Sequence, residues 1–409
     1  MSSERAPAFV LRGLTLRVGL LLAAGLLHAG CASDDEEPVD ARAETGTRLM
    51  LAGDVMLGRG LDQIQRQRVD PILYEPYVNS ALGYVALAEE TSGEIPREVE
   101  PSYVWGDALE SVGNWAPVAR IVNLETAVTT HDKPWPNKRI HYRMHPRNVA
   151  VLEAAKIDCA VLANNHALDW QRPGLAETLG ALREAGMKVV GAGETLQEAA
   201  SPVVLPVTGG RVLLVAAAHG SSGVPVAWAA SDTRSGIHRL PDLSVKTARR
   251  LAQVIRGRRQ RGDLVVVSIH WGGNWGYAVP GAERRFAHTL IDEGAADVVH
   301  GHSSHHPKGM ELHGDRLILY GAGDLVNDYE GIGGHETYRP RLSLLYRPRL
   351  DAEGRLVDLV MLPFRIQRFR LQAASPEEAR WLQTVLARES RGLEVAWEQG
   401  HLIGVPRRP

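Results

Sequence analysis

Five stretches of this 409-residue chain gather side chains that bind cations or move protons. They are Gly53-Asp54-Val55-Met56-Leu57-Gly58-Arg59, Asn123-Leu124-Glu125, Asn164-Asn165-His166-Ala167-Leu168-Asp169, His270-Trp271-Gly272, and His300-Gly301-His302-Ser303-Ser304-His305-His306. Carboxylates, amides and imidazoles are ligands for hard or borderline metals, and imidazole also titrates near neutrality. Four of the sixteen histidines fall within residues 300–306. Taken singly, the first four stretches have plain structural readings: a Gly-Asp turn, a helix start, an N-cap followed by surface polar residues, a core His-Trp pair; the four clustered histidines are harder to dismiss. Their common feature is position. Each follows a short apolar run: Leu49-Met50-Leu51, Ile121-Val122, Val161-Leu162-Ala163, Val266-Val267-Ser268-Ile269 and Val298-Val299. Ligands of open α/β sheets bind outside the carboxyl ends of strands, so five such loops can converge on one crevice.

The elements that would position these loops alternate in type. Strands are expected at Arg48–Ala52, Ala119–Val122, Cys159–Leu162, Met187–Val190, Val212–Ala217, Leu264–Ile269 and Asp297–Val299, with helices at Pro146–Ala155, Pro173–Ala185, Ser244–Arg261 and Gly281–Glu293. Val/Leu/Ile runs without strict alternation suit strands covered on both faces, which points to an α/β sandwich. Leu317–Tyr320, Leu342–Tyr346 and Leu356–Pro363 have no long helices between them and read as antiparallel strands. The polar, proline-broken segment Asp70–Trp105 reads as an insertion over one edge. We therefore expect one large domain over residues 48–372, with a C-terminal helix near Pro376–Arg388 and a tail, 373–409, packed back on it.

Residues 1–30 read as an export signal: Arg5, Arg12 and Arg17, an apolar run Val18–Leu27, then Ala29-Gly30 before Cys31. The run falls short of the roughly twenty residues of a spanning helix. Cys31 resembles the lipidated cysteine of a bacterial lipoprotein, although His28 stands where an aliphatic is usual; an uncleaved anchor and plain secretion are the alternatives. Residues 31–47 form an acidic tether. The expected location is the bacterial cell envelope, with membrane attachment through lipidated Cys31. A formal charge of −2 provides no polybasic field for nucleic acid, and two cysteines exclude a disulfide framework or an all-thiolate metal site.

Taken in order, the five stretches and Leu319-Tyr320-Gly321-Ala322-Gly323-Asp324 resemble the CapA family, the capsule-associated proteins of poly-γ-glutamate synthesis, within the calcineurin-like metallophosphoesterases. The resemblance spans residues 48–330 and implies a sandwich of two mixed sheets flanked by helices. It also implies a centre of two divalent ions, Mn, Fe or Zn. Asp54 would be the first carboxylate ligand, Glu125 the bridging one, Asn165 an amide ligand, and His270, His302 and His305 the imidazoles. His166, oriented by Asp169, would serve as proton donor or oxyanion partner. The chain departs from the pattern in four places. Met56 replaces the histidine of Asp-x-His, Glu125 replaces an aspartate, His302 and His305 stand three apart, and Asn274 occupies a position often held by Glu. The implied function is a metal-dependent hydrolase acting on a phosphoester or an amide or ester bond in an anionic envelope or capsular polymer. The alternative is a non-catalytic binding or assembly component working with polyglutamate synthase components.

Arg59 and Arg143 are candidates for gripping an anionic substrate, with a structural arginine as the alternative reading of each. Trp271, beside Trp275 and Tyr277, could form an aromatic wall or simply pack in the core. His219-Gly220-Ser221-Ser222-Gly223 lacks the spacing of a nucleophile elbow. His131, His141 and His145 read as surface residues of a Pro/Lys/Arg loop.

Overall fold

Two mixed sheets face one another and share a core. The computed structural model describes residues 46–114, 119–207 and 210–407, so the expected export signal, Cys31 and nearly all of the tether lie outside the described residues. The site-bearing strands are β1 (Thr47–Val55), β2 (Ala119–Leu124), β3 (Cys159–Val161), β4 (Asp263–His270), β5 (Val298–His302) and β6 (Asp324–Val326). In the ten-stranded sheet, β1, β2, β3 and Lys188–Val190 run parallel, and β6 pairs in parallel with β1. Leu342–Leu350 joins the other side of β1 antiparallel and leads through Leu356–Gln367 to a terminal hairpin, Leu393–Glu398 and His401–Pro406. In the six-stranded sheet, Gly210–Ala218, β4, β5 and Arg316–Leu319 run parallel, flanked by the antiparallel edges Val203–Val207 and Met310–His313.

The runs of the six-stranded sheet look continuous in sequence because both faces are buried, yet the two-residue period still sorts them. Val265, Val267, Ile269 and Val299 belong to an outer core beneath α2 (Val245–Arg256) and α3 (Gly281–Asp292), which follow α1 (Gln171–Glu184) along the chain. Leu264, Val266 and Val298 face inward to the large core shared with β1 and β2. Continuing the inward set along each strand arrives at Ser268 and His270 on β4 and at His300 and His302 on β5. The parallel register then sets Ser268 beside His300 and His270 beside His302.

Several expectations shift. The helix expected at Ser244–Arg261 ends at Arg256, where Gly257 caps it and residues 258–262 turn into β4. Pro146–Ala155 divides into a 3-10 turn, Pro146–Val149, and a short helix, Ala150–Ala154. The Asp70–Trp105 segment is more than a surface insertion. It contains a helix, Ala81–Ser92, and contributes Val85, Ala88, Ile95, Val99, Val104 and Trp105 to the large core. The C-terminal helix α4 (Pro376–Glu389) begins in a capping box between Ser375 and Glu378, and the residues beyond it form a hairpin that extends the large sheet. Cys159 is a buried free thiol.

Candidate metal centre

Asp54 sits at the carboxyl end of β1, fully buried, where the chain passes closest to β6. A Cβ on Gly53 would lie 1.8 Å from the Gly323 carbonyl oxygen, so two Gly-Asp turns approach more closely than any side chain would permit. The Asp54 N–H donates to that same carbonyl at 3.0 Å, and the register aligns Asp54 with Asp324. From β2, the Asn123 amide donates to Asp54 at 2.7 Å and to Glu125 at 3.2 Å. Asn164, after β3, donates to Asn123 at 3.1 Å and accepts the His166 N–H at 3.0 Å. A ladder of amides thus fixes the loops after three adjacent strands.

The facing sheet supplies the imidazoles. His270 Nδ1 lies 2.8 Å from His302 Nδ1, His270 Nε2 lies 3.0 Å from Asn165 Oδ1, and His302 Nε2 lies 2.9 Å from Ser268 Oγ. His305 Nδ1 is 2.9 Å from Asp324 Oδ1, and its Nε2 is 3.0 Å from the Asn274 amide. Between the histidines, Ser303 adopts φ 103°, unusual for a residue with a side chain, and points its N–H at Asp54 at 3.2 Å.

Two groups with ligand atoms within 4.8 Å of one another result: Asp54 with His270 and His302, and Asp54 with His305 and Asp324. Asp54 is common to both. Glu125, expected to bridge, hydrogen-bonds with Asp54 but belongs to neither group. His302 and His305, three residues apart, fall into different groups. Burial, followed by the neighbouring Asp324 charge, pushes Asp54 up to about 7. Burial and Asp54 likewise hold Glu125 well above the usual carboxylate range. His270 and His302 are held far below the usual imidazole range by burial, and are therefore neutral with lone pairs to offer. Burial, the largest single influence, opposes charge on His305 as well, but Asp324 and Asp54 together outweigh it and raise that group. Clustered buried carboxylates beside neutral imidazoles form an N/O donor set short of positive charge, which suits a borderline divalent cation.

His166 Nδ1 lies 2.6 Å from Asp169 Oδ2, the fold-back that the three-residue spacing anticipates. Lys138, absent from the sequence reading, pairs with Asp169 at 2.6 Å. Burial and then Lys138 hold His166 far below its usual range, and its Nε2 faces Glu125 at 3.7 Å. The other candidates fall differently. Arg59 is buried, its guanidinium bonded to both oxygens of Asp328 at 3.0 and 2.5 Å and to Glu75 at 3.0 Å. It is sandwiched between Tyr84 and Tyr142, at 3.8 and 4.3 Å from their ring centres. Its donors are spent on the protein, so Arg59 is a tie between loops and not a grip for substrate. Arg143 is held similarly, donating to the carbonyls of His131 at 2.8 Å and Asp70 at 3.1 Å over the Trp170 ring. Trp271 packs with Phe286 and Tyr320 in the outer core, away from the imidazole face. Trp275 instead stands beside the site, its ring centre 5.5 Å from that of His305. His141 is buried against Trp170 rather than exposed.

Asp324 also escaped the list of ligands, although Gly323-Asp324 repeats the Gly53-Asp54 signal. Beside the centre lies a cleft of about 480 Å³ bordered by Tyr329, Arg339, Arg341 and Arg365 together with Glu336 and Glu378, the last paired with Arg365. The Tyr329 hydroxyl reaches to 3.4 Å from His305 Nε2.

Two facing mixed sheets flanked by helices, with carboxylate, amide and imidazole loops meeting at their ends, define a sandwich of the calcineurin-like class. The chain belongs to the family of bacterial capsule synthesis proteins PGA_cap, whose pattern matches residues 48–329. It is 44% identical over 362 residues to a probable polyglutamine synthesis accessory protein of Mycobacterium tuberculosis H37Rv, covering 87% of this chain and 95% of that protein. It is 25% identical over 333 residues to the capsule biosynthesis protein CapA of Bacillus anthracis, covering 80% of this chain and 70% of that one. With the PGA biosynthesis protein CapA of Bacillus subtilis the identity is 24% over 279 residues, 68% and 62% of the two chains. Among the described residues no helix is long and apolar enough to cross a membrane.

Proposed function

We propose that this chain is a metal-dependent hydrolase of the cell envelope that cleaves a phosphoester, amide or ester bond in an anionic, polyglutamate-type polymer. The observation that carries this reading is the sharing of Asp54 between two ligand groups drawn from facing sheets. Asp54, His270 and His302 would hold one divalent ion, and Asp54, His305 and Asp324 the other, with Asn165 and Glu125 adjoining. Two such ions lower the pKa of a water and neutralise charge on the attacked group. His166, neutral and fixed by Asp169 and Lys138, would hold or deliver a proton at Nε2 toward the leaving group. Arg339 and Arg341 in the neighbouring cleft suit a run of carboxylates. The names of the relatives, a polyglutamine synthesis accessory protein and capsule biosynthesis proteins, support the polymer class. Attachment through lipidated Cys31 would keep the centre next to nascent polymer.

Met56, in place of the first imidazole of Asp-x-His, favours a second reading, a non-catalytic assembly component that grips polymer through the same centre. The experiment purifies the chain, measures bound metal, and assays a generic phosphodiester and poly-γ-glutamate with and without Mn²⁺, for wild type and Asp54→Ala. Metal with turnover is expected, with turnover abolished and metal content lowered in Asp54→Ala. Metal without turnover on either substrate would establish the assembly role, and absence of metal would overturn both. Cys31→Ser should release the chain from membranes.

A further inference from the structure

A separate set of metal-binding side chains lies between α3 and the edge strand Met310–His313, sharing no member with the Asp54 groups. His288 and Asp292 stand one turn apart on α3, and Glu311 and His313 lie two apart on the strand, so each pair presents to one face. Glu311 is registered opposite Ile318, an outer-core residue, which places it on the helix-covered side of the sheet. His288 Nε2 is 2.8 Å from Glu311 Oε1, and His313 Nε2 is 2.7 Å from Asp292 Oδ1. The two imidazoles stack with centres 3.8 Å apart and planes 4° from parallel. One ligand atom from each of His288, Glu311 and His313 lies within 4.8 Å of the others.

We propose that His288, Glu311 and His313 form a site for a borderline divalent cation of the zinc type, with Asp292 as the outer partner of His313. Two imidazoles and one carboxylate would supply three of the four N/O donors of a tetrahedral site, water would take the fourth position, and one imidazole would turn out of the parallel stack so that both rings aim at the ion. Glu311 is already oriented for it. Its Oε2 accepts from Arg284 Nε and from the Tyr320 hydroxyl, both at 3.0 Å, which turns Oε1 toward the histidines. Outer partners of this kind fix a ligand's direction and raise affinity. The same arrangement engages Arg284 Nε at the far oxygen, so its hydrogen bond leaves Oε1 free. Both histidine side chains remain about a quarter exposed, at 26% and 28%, leaving a route for an ion. An ion held here would fasten the last turns of α3 to the sheet edge.

The test strips the full chain with chelator, dialyses it against Zn²⁺ and counts zinc per chain. It compares wild type with His288→Ala/His313→Ala, each with and without Asp54→Asn. Loss of one zinc equivalent in the histidine variant, in both backgrounds, is expected, together with loss of visible Co²⁺ absorption when cobalt is the probe. Tyr320→Phe, which keeps the ring and removes only the hydroxyl, should keep the stoichiometry and weaken zinc binding about tenfold. If the histidine variant is folded by circular dichroism and its zinc count equals that of wild type, the four residues are ion pairs alone and the proposal fails.

Discussion

At Asp54 one carboxylate faces two ligand groups, and substitutions should expose that asymmetry. Asp54→Asn removes a charged donor from both groups, whereas Asp324→Asn weakens only the group with His305. Metal analysis should show a larger fall in metal content for Asp54→Asn than for Asp324→Asn. A larger fall for Asp324→Asn would shift the shared role away from Asp54. Arg59 makes a different point about single residues. Its charge is buried between Asp328 and Glu75, and Arg59→Met leaves two buried carboxylates without their cation. Breaking a buried pair in this way costs about 3–5 kcal/mol, and Arg59→Lys should restore little because it cannot reproduce the two-pronged contact with Asp328. Urea unfolding of the three proteins checks both statements.

Among the elements, α3 shows burial competing with a helix terminus. Glu283 lies in its first turn, where a negative charge is ordinarily favoured, yet it is buried and one carboxylate oxygen lacks a partner. Burial raises its pKa to about 7, opposed by Lys308. The folded state therefore prefers the protonated acid. The stability linked to Glu283 is present in full below about 4.5 and is lost as pH rises through about 7. Glu283→Gln should leave the urea midpoint unchanged near pH 4.5 and raise stability by about 2 kcal/mol above pH 8. An equal gain at both pH values would assign the effect to packing. The strand β4 illustrates legibility at the same scale. Its two-residue period, continued past Ile269, places Trp271 with the outer core, a signal present in the sequence and outweighed there by proximity to His270.

Considered as a whole, the molecule relies on its C-terminus. The hairpin Leu393–Glu398/His401–Pro406 pairs along Leu356–Gln367 and buries Leu393, Val395 and Leu402 in the large core. Removing residues 391–409 would bare the strand edge around Leu359–Met361, the part not paired with Arg370–Ala373, and uncover the core beneath it, a template for association with other chains. The truncated chain should unfold at lower temperature and aggregate in size-exclusion chromatography. A monomer with unchanged melting would show the hairpin to be dispensable.

The strand ends and what stands on them are legible along the chain: Asp54, Glu125, Asn165, His166, His270, His302 and His305 all follow apolar runs that form strands or directly abut them. Local period and hydrophobicity suffice for that, because burial on both faces leaves few other ways to read such runs. Tertiary structure decided which of these residues meet. Asp54 and Asp324 are aligned by a parallel register between β1 and β6, and Arg59 finds Asp328 across 269 residues. Lys138 approaches Asp169 from a loop with no period to announce it. Pairings of that kind depend on how two sheets stack and how loops cross between them, and neither leaves a local mark on the chain. The sequence therefore named most of the donors, and the stacking of the sheets chose the shared carboxylate.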